Sequence, residues 1–249
     1  MKQSVVFTDL DGTLLDHATY SWEPALPALR LLHDRQIPLV CCSSKTRTEI
    51  EFYRRLLDNR DPFVTENGGG IFIPEGYFDL STLPPNLVRI GEPGYVVIRL
   101  GAQYQHLRQA VEELRAEGFA LTGFGDMTVA EVAELTGLPL DQAAMAKERD
   151  FDEPFVYSGS LAEMDTLEER LLSEGFFLTK GAFFHILADS ERCRCNNACR
   201  AIRKKNTVRS SLSPSVIHSM ICRCCNALTI QLPSRSLMEV TTRAWICLT

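Results

Sequence analysis

The last quarter of the chain, residues 191–249, lacks residue types that the rest of the chain uses freely. It contains no Asp, Gly, Phe or Tyr, although the whole chain has 15 Gly, 13 Phe and 6 Tyr. Its only acidic residues are Glu191 and Glu239, against ten Lys and Arg. A single globular domain rarely changes composition so abruptly. We therefore predict that this segment, called the tail below, is not part of the fold that precedes it.

Long hydrophobic runs are also missing. No apolar stretch approaches the roughly 20 residues that span a bilayer, and the run at Val5-Val6-Phe7 is too short for a secretory signal peptide. These absences predict a cytoplasmic protein with no membrane partner. Residues 1–190 carry 30 Asp and Glu against 16 Lys and Arg. This acidity argues against a nucleic-acid partner, because a duplex is itself densely negative.

Strand and helix patterns alternate over the first 70 residues. Short apolar runs predict buried strands at Val5–Phe7, Ile37–Cys42 and Pro62–Thr65. Apolar residues at helical spacing predict helices at 24–36 and 46–58 between these strands. This order predicts an α/β fold with a Rossmann-like, doubly wound parallel sheet. In such sheets ligands bind beyond the carboxyl ends of the strands.

The rhythm changes after residue 84. Further strand and helix patterns bracket a helical middle, in which Thr128 is a predicted N-cap with Glu131 three residues on. We interpret this region as a small α+β cap inserted into the core. The predicted domains are a core over 1–83, an α+β cap over 84–176, a return to the core over 177–190 and the aberrant tail over 191–249.

Two carboxylates follow the first predicted strand, at Asp9 and Asp11. Gly12 comes next and permits a turn that aims both carboxylates at one point and brings backbone N–H groups close to an anion. One carboxylate can accept a phosphoryl group covalently, and a second can protonate the leaving oxygen and then activate water. Mg²⁺ prefers hard oxygen ligands of this kind. We therefore predict that Asp9 and Asp11 are catalytic residues and Mg²⁺ ligands, because a plain surface turn explains the Asp-Gly pair but not a buried strand running into it.

Several segments together resemble a known family. The segment V-F-T-D-L-D-G-T-L-L resembles the first motif of the haloacid dehalogenase superfamily, and Cys42 to Arg47 resembles its second motif. With Glu66-Asn67-Gly68 and G-F-G-D-M-T at 123–128, the chain resembles the mannosyl-3-phosphoglycerate phosphatases from residue 1 to about 189. The resemblance implies Mg²⁺-dependent hydrolysis of 2-O-mannosyl-3-phosphoglycerate, a phosphorylated sugar acid, to mannosylglycerate, a compatible solute.

The resemblance also implies residues that surround the phosphate and the substrate. Asp9 would be the nucleophile, Asp11 would act as acid and base, and the hydroxyl of Ser43 would bind the phosphate. The predicted phosphate- and substrate-binding residues are Gly12, Thr13, Ser43, Ser44, Lys45, Asn67, Gly68 and Lys180. Other charged residues have two interpretations: Arg47 and the run Lys147-Glu148-Arg149 either meet the substrate or are solvated charges. His185 fits a core position better than a catalytic one.

Two further motifs of the superfamily are not found where the resemblance implies them. One is a Lys soon after Asp189 that offsets charge around the phosphate, and the other is a G-D-x-x-N-D loop that supplies a further Mg²⁺ ligand. The tail has no Asp, and nothing in the sequence puts its two lysines, Lys204 and Lys205, at the site. We therefore predict that this chain is severely impaired as a phosphatase.

A shifted reading frame from about residue 190 would explain the tail. Regrouping the codons of Ser215–Cys222 from their third base makes Met220-Ile221 encode Asp, because Met ends in G and every Ile codon begins with AT. The neighbouring codons allow the whole stretch to encode G-D-S-L-N-D-L, the missing motif. This hypothesis predicts an extra or missing base near codon 190.

The alternatives for the tail are a metal or disulfide module and an Arg-rich nucleic-acid segment. Cys193, Cys195 and Cys199 cluster, but no two of them have the C-x2-C spacing of structural zinc sites. Trp245 is the only aromatic residue of the tail, so interleaved stacking residues for nucleic acid are missing. For the whole chain, the alternatives are a phosphatase for glucosyl-3-phosphoglycerate or sucrose phosphate, or a non-catalytic phosphosugar-binding protein. The sequence does not predict the oligomeric state.

Overall fold

The computed structural model describes residues 4–77, 88–180, 183–188 and 244–248. In these ranges, the strands are β1 (Ser4–Thr8), β2 (Leu39–Cys42), β3 (Phe63–Thr65), β4 (Gly70–Pro74), β5 (Val88–Glu92), β6 (Tyr95–Arg99), β7 (Leu121–Gly123), β8 (Asp152–Tyr157), β9 (Phe176–Lys180), β10 (Phe184–Ala188) and β11 (Ala244–Leu248). The helices are α1 (Leu26–Asp34), α2 (Arg47–Leu56), α3 (Tyr104–Ala116), α4 (Val129–Thr136), α5 (Leu140–Ala146) and α6 (Leu161–Ser173).

The larger sheet, called the core sheet, has the strand order β11-β1-β2-β3-β4-β6-β5. The strands β1, β2 and β3 are parallel and are connected through α1 and α2, while the remaining pairs are antiparallel. The predicted α/β fold with parallel strands is therefore confirmed. Its centre is a buried apolar cluster in which the rings of Phe63 and Phe72 stack with centroids 5.0 Å apart.

The smaller sheet has the order β7-β8-β10-β9 and is entirely antiparallel. The helices α3 and α6 bury their apolar stripes against it, through residues such as Leu107 and Leu167. Thr128 and Glu131 form a capping box at the start of α4, as the sequence predicts. We call residues 104–180 and 183–188 the cap.

Two boundaries differ from the sequence-based prediction. Residues 88–99, predicted to belong to the cap, form β5 and β6 in the core sheet. The segment 177–190 is predicted to return to the core, but its described strands belong to the cap sheet, where β10 pairs with β8 and β9 pairs with β10. Short apolar runs carry no information about which sheet they join, since both sheets bury the same residue types.

One part of the tail also differs from its prediction. The strand β11 lies antiparallel to β1, with Ser4 opposite Leu248 and Thr8 opposite Ala244. An edge strand presents unpaired backbone N–H and C=O groups, and a short apolar segment can satisfy them. The rest of the tail, including the cysteines considered for zinc and the stretch considered for the shifted frame, lies outside the described residues.

No helix in the described ranges is both long enough and apolar enough to cross a membrane.

Candidate active site

The turn after β1 carries the two predicted carboxylates. Its backbone folds tightly, because the N–H groups of Thr13 and Leu15 both donate to the Leu10 carbonyl. Gly12 sits in the turn with φ +64°, a left-handed conformation that a side chain would strain. Thr13 is buried beneath the turn, while Gly12 remains exposed. The turn therefore holds its acidic residues at the carboxyl end of β1, as the sequence predicts.

A second loop, Ser43–Lys45, follows β2 and lies next to this turn. We call it the phosphate loop. The side chain of Ser43 lies near the Asp9 carboxylate and acts to lower its pKa. The ammonium of Lys45 lies 3.2 Å from Asp11 Oδ1. The pairing of Thr8 in β1 with Cys41 in β2 brings the two loops to the same edge of the core sheet.

Lys45 is held by groups that its sequence context does not reveal. It is 6% exposed, and its Nζ lies 3.5 Å from Glu49 Oε1. The rings of Tyr20 and Tyr53 flank the ammonium, with centroids 5.3 and 5.9 Å away. Burial alone would lower the pKa of Lys45, but the negative charges of Glu49 and Asp11 outweigh it and raise the pKa. Lys45 is therefore a fixed positive charge beside the two carboxylates.

The electrostatics of Asp9 reflect opposing contributions. Burial raises its pKa above the ordinary value, and the neighbouring Asp11 adds to this rise. The backbone N–H of Leu10 donates to Asp9 Oδ1 at 2.7 Å and lowers the pKa of Asp9. Ser43 and Lys45 lower it as well. A carboxylate whose charge is only partly compensated in this way favours a cation nearby.

The turn after β3 is the third part of this sheet edge. Glu66 and Asn67 both adopt left-handed backbone conformations, with φ values of 50° and 56°. The Asn67 side chain, predicted to meet substrate, donates to Asp152 Oδ2 at 3.0 Å and so holds β8 of the cap. Burial, and then the nearby Asp152 carboxylate, raise the pKa of Glu66 to about 8. Gly68 follows in the same turn, with φ 98°.

The remaining predicted residues are spread over the cap. Lys180 is the last residue of β9 and pairs across the sheet with Phe184, and the structure does not describe its side chain. Lys147 donates to backbone carbonyls of Phe124 and Met127 within the cap. Arg149 is buried at the junction of cap and core, so it is not a solvated charge. Sequence analysis did not identify Glu49, Tyr53 or Asp152 as residues near the site. For Glu49 a signal was present, because an acidic residue three positions after Thr46 is typical of a helix capping box.

Among the described residues, no group of three or more His, Cys, Asp and Glu side chains is placed to hold a metal ion. The Asp9 carboxylate and the backbone carbonyl of Asp11 nevertheless offer the hard oxygen donors that Mg²⁺ takes, and one or two protein carboxylates commonly suffice when phosphate and water complete its shell. The donor set of one carboxylate and one backbone carbonyl therefore fits Mg²⁺.

Comparison with known proteins identifies the family of this chain. The haloacid dehalogenase-like hydrolase family matches residues 6–89. A glucosyl-3-phosphoglycerate/mannosyl-3-phosphoglycerate phosphatase of Persephonella marina is 42% identical over 188 residues, which cover 75% of this chain and 67% of that protein. A phosphatase of the same name from Methanococcoides burtonii is 39% identical over 203 residues, covering 81% and 73%. The chain belongs to this phosphatase family.

Members of this family are phosphoric monoester hydrolases. A further member, the mannosyl-3-phosphoglycerate phosphatase of Pyrococcus furiosus, is 38% identical over 181 residues, covering 73% of this chain and 70% of that protein. A crystal structure of a haloacid dehalogenase-like hydrolase from Bacteroides thetaiotaomicron superposes with a TM-score of 0.51 at 15% identity, covering 82% of this chain and 77% of that one. At this identity the superposition shows the fold alone, and it agrees with the α/β fold described above.

Proposed function

We propose that the fold of this chain is that of a Mg²⁺-dependent phosphatase that hydrolyses 2-O-mannosyl-3-phosphoglycerate to mannosylglycerate, a compatible solute, and phosphate. The observation that carries the proposal is the cluster at the sheet edge, where the Asp9 carboxylate meets the Ser43 hydroxyl and the Lys45 ammonium pairs with Asp11. A nucleophile, a hydroxyl donor and a fixed positive charge are what phosphoryl transfer requires, because it depends chiefly on positioning and charge neutralisation.

The names of the relatives support the substrate class. Two of them are named for both glucosyl- and mannosyl-3-phosphoglycerate, and two for mannosyl-3-phosphoglycerate alone. Glucosyl-3-phosphoglycerate is therefore the second candidate substrate. Both are small phosphorylated sugar acids, and the fixed positive charge of Lys45 in the site suits anions of this kind.

In the proposed reaction, the Asp9 carboxylate attacks phosphorus and the bond from phosphorus to the glycerate oxygen breaks. Asp11 gives its proton to that leaving oxygen. Asp11 then takes a proton from a water molecule, which attacks the phosphorus of the aspartyl-phosphate, releases phosphate and regenerates Asp9. The Ser43 hydroxyl and backbone N–H groups of the turn at Gly12 hold the phosphate oxygens.

The groups that would hold Mg²⁺ are the side-chain carboxylate of Asp9 and the backbone carbonyl of Asp11, so the Asp11 side chain keeps its role as acid and base. When bound, Mg²⁺ supplies positive charge opposite the phosphate and so offsets the repulsion between an anionic substrate and two carboxylates. The ammonium of Lys45 also offsets this repulsion, because it pairs with the Asp11 carboxylate and holds that carboxylate in place.

We also propose that the chain as it stands is severely impaired. The tail contains neither an Asp nor a Lys at the position that the family resemblance implies. Removal of one electrostatic group of this kind commonly lowers the rate by about 10²–10³. Two missing groups predict a combined loss of about 10⁴-fold or more.

The proposed function is tested by measuring phosphate release from mannosyl-3-phosphoglycerate, glucosyl-3-phosphoglycerate and sucrose phosphate at high protein concentration. We expect a slow release from the first two substrates that EDTA abolishes and Mg²⁺ restores. The variant Asp9→Asn is expected to remove this release entirely, since an amide cannot act as the nucleophile. Release that Asp9→Asn leaves unchanged would show that another group is responsible, and rapid release by the unaltered chain would contradict its proposed impairment.

A further inference from the structure

The three carbonyl groups of the phosphate loop are all held by donors from outside it. The first and third carbonyls accept hydrogen bonds from the backbone N–H groups of Asn67 and Glu66, both at 3.1 Å. The middle carbonyl, that of Ser44, accepts one from Nη1 of Arg149 at 2.8 Å. In a trans peptide the N–H points away from the C=O. Holding the carbonyls therefore fixes the direction of the N–H groups that follow them.

Arg149 differs from the other two donors in its origin. It lies between α5 and β8, so it belongs to the cap, whereas Glu66 and Asn67 belong to the core. Its side chain is only 6% exposed. The guanidinium also donates to the Ala146 carbonyl at 2.8 Å and to Asp152 Oδ1 at 2.7 Å. A planar guanidinium with several fixed partners holds the Ser44 carbonyl in one place.

The segment that carries Arg149 is itself fastened to the core. The Glu66 carboxylate accepts hydrogen bonds from three consecutive N–H groups, those of residues 150, 151 and 152, at distances from 2.7 to 3.1 Å. At the other end, the hydroxyls of Thr46 and Thr48 donate to the Met145 carbonyl at 2.8 and 3.3 Å. When these hydrogen bonds hold the segment against the core, Arg149 contacts the phosphate loop.

We propose that Arg149 is a positioning residue for the phosphate loop, and that it makes phosphate binding in the core depend on the seating of the cap. Arg149 acts through the Ser44 carbonyl: it sets the peptide that joins Ser44 to Lys45, and the N–H of that peptide donates to the Ser43 hydroxyl oxygen at 3.3 Å. The proposal rests on the proposed function, since the loop is assigned there to the phosphate. It deepens that function by tying the orientation of the Ser43 hydroxyl to a residue of the cap.

The test is the affinity of the full chain for inorganic phosphate in the presence of Mg²⁺, measured by titration calorimetry, so no turnover is needed. Arg149→Lys keeps the charge but not the planar fork, so we expect phosphate affinity to fall by about 10- to 100-fold, the effect of one charge-assisted hydrogen bond. Thr48→Val removes a hydrogen bond between the same segment and α2 without touching the phosphate loop. We expect its phosphate affinity to stay within about two-fold of the parent.

A chemical rescue separates positioning from general stability. Arg149→Ala leaves a space that methylguanidinium can enter, and we expect the added cation to restore phosphate affinity in this variant and to leave Thr48→Val unchanged. Urea unfolding of each variant shows that it is folded under the binding conditions. Equal losses in Arg149→Lys and Thr48→Val, or a failure of rescue, would overturn the proposal, because either result assigns the effect to loosening of the cap.

Ser43→Ala distinguishes failure of this inference from failure of the proposed function. If Ser43→Ala weakens phosphate binding while Arg149→Lys binds as the parent does, the phosphate loop stands and the role of Arg149 is wrong. If the parent chain binds no phosphate, or Ser43→Ala has no effect, the proposed site is wrong, and the positioning role falls with it.

Discussion

Replacing residues 190–249 with the remaining C-terminal part of the Persephonella marina relative is expected to raise phosphate release from mannosyl-3-phosphoglycerate by about 10⁴-fold or more. That relative is 42% identical to this chain over the matched region. As a member of the family it is expected to supply both the Lys and the acidic loop that the tail lacks. The gain follows because phosphoryl transfer needs both charges beside Asp9 and Asp11. Initial rates of phosphate release by the two proteins, at equal concentration and with Mg²⁺ present, measure it.

The control is the same chimera with Asp9→Asn. This control keeps the C-terminal segment of the relative and any activity that the segment has by itself. The difference between the two chimeras therefore measures what Asp9 contributes. We expect it to lose essentially all of the gained activity. A chimera no faster than the parent chain would contradict the account of the tail, and a fast chimera that tolerates Asp9→Asn would contradict the account of the site.

Removal of the Glu66 side chain should destabilise the protein strongly. The carboxylate is fully buried and accepts hydrogen bonds from three N–H groups of the segment between α5 and β8. Glu66→Ala leaves donors such as the N–H of Phe151 buried and unpaired. We expect the free energy of unfolding to fall by about 3–5 kcal/mol, as measured by urea denaturation.

Glu163→Ala is the matched control for this substitution. Glu163 also accepts a backbone N–H, that of Ser160, but it does so at the exposed start of α6. Water can replace the lost bond there, so the change in stability should be much smaller. Similar losses in both variants would show that the burial of Glu66, and with it the fastening of cap to core, has been overestimated.

The sequence predicts well which polar residues lie together at the edge of the core sheet. The strands β1, β2 and β3 are short apolar runs that end in polar residues, and parallel connections bring such ends together. Local hydrogen bonding likewise predicts the capping box of Thr128 and Glu131, because both residues lie within one turn. These features depend on residues that are close in the chain or on a rule of topology.

The links between cap and core could not be predicted in this way. Glu66 and Asp150, which are hydrogen-bonded, lie 84 residues apart, and nothing in the local pattern of either points to the other. Arg149 stands in a charged run, Lys147-Glu148-Arg149, that is equally typical of a solvated loop. Only the tertiary structure distinguishes the buried Arg149 from its exposed neighbour Glu148. The assignment of β9 and β10 to the cap sheet depends in the same way on pairing with a distant strand.

The central claim, that Asp9 takes the phosphoryl group, is tested most directly by trapping the covalent intermediate. The chimera is mixed with mannosyl-3-phosphoglycerate and Mg²⁺, quenched during turnover and treated with borohydride, which reduces an acyl phosphate to an alcohol. Mass spectrometry of the peptide around Asp9 then identifies the reduced residue. We predict homoserine at position 9, dependent on substrate. Steady turnover with Asp9 unmodified, or with homoserine at Asp11 instead, would contradict the account.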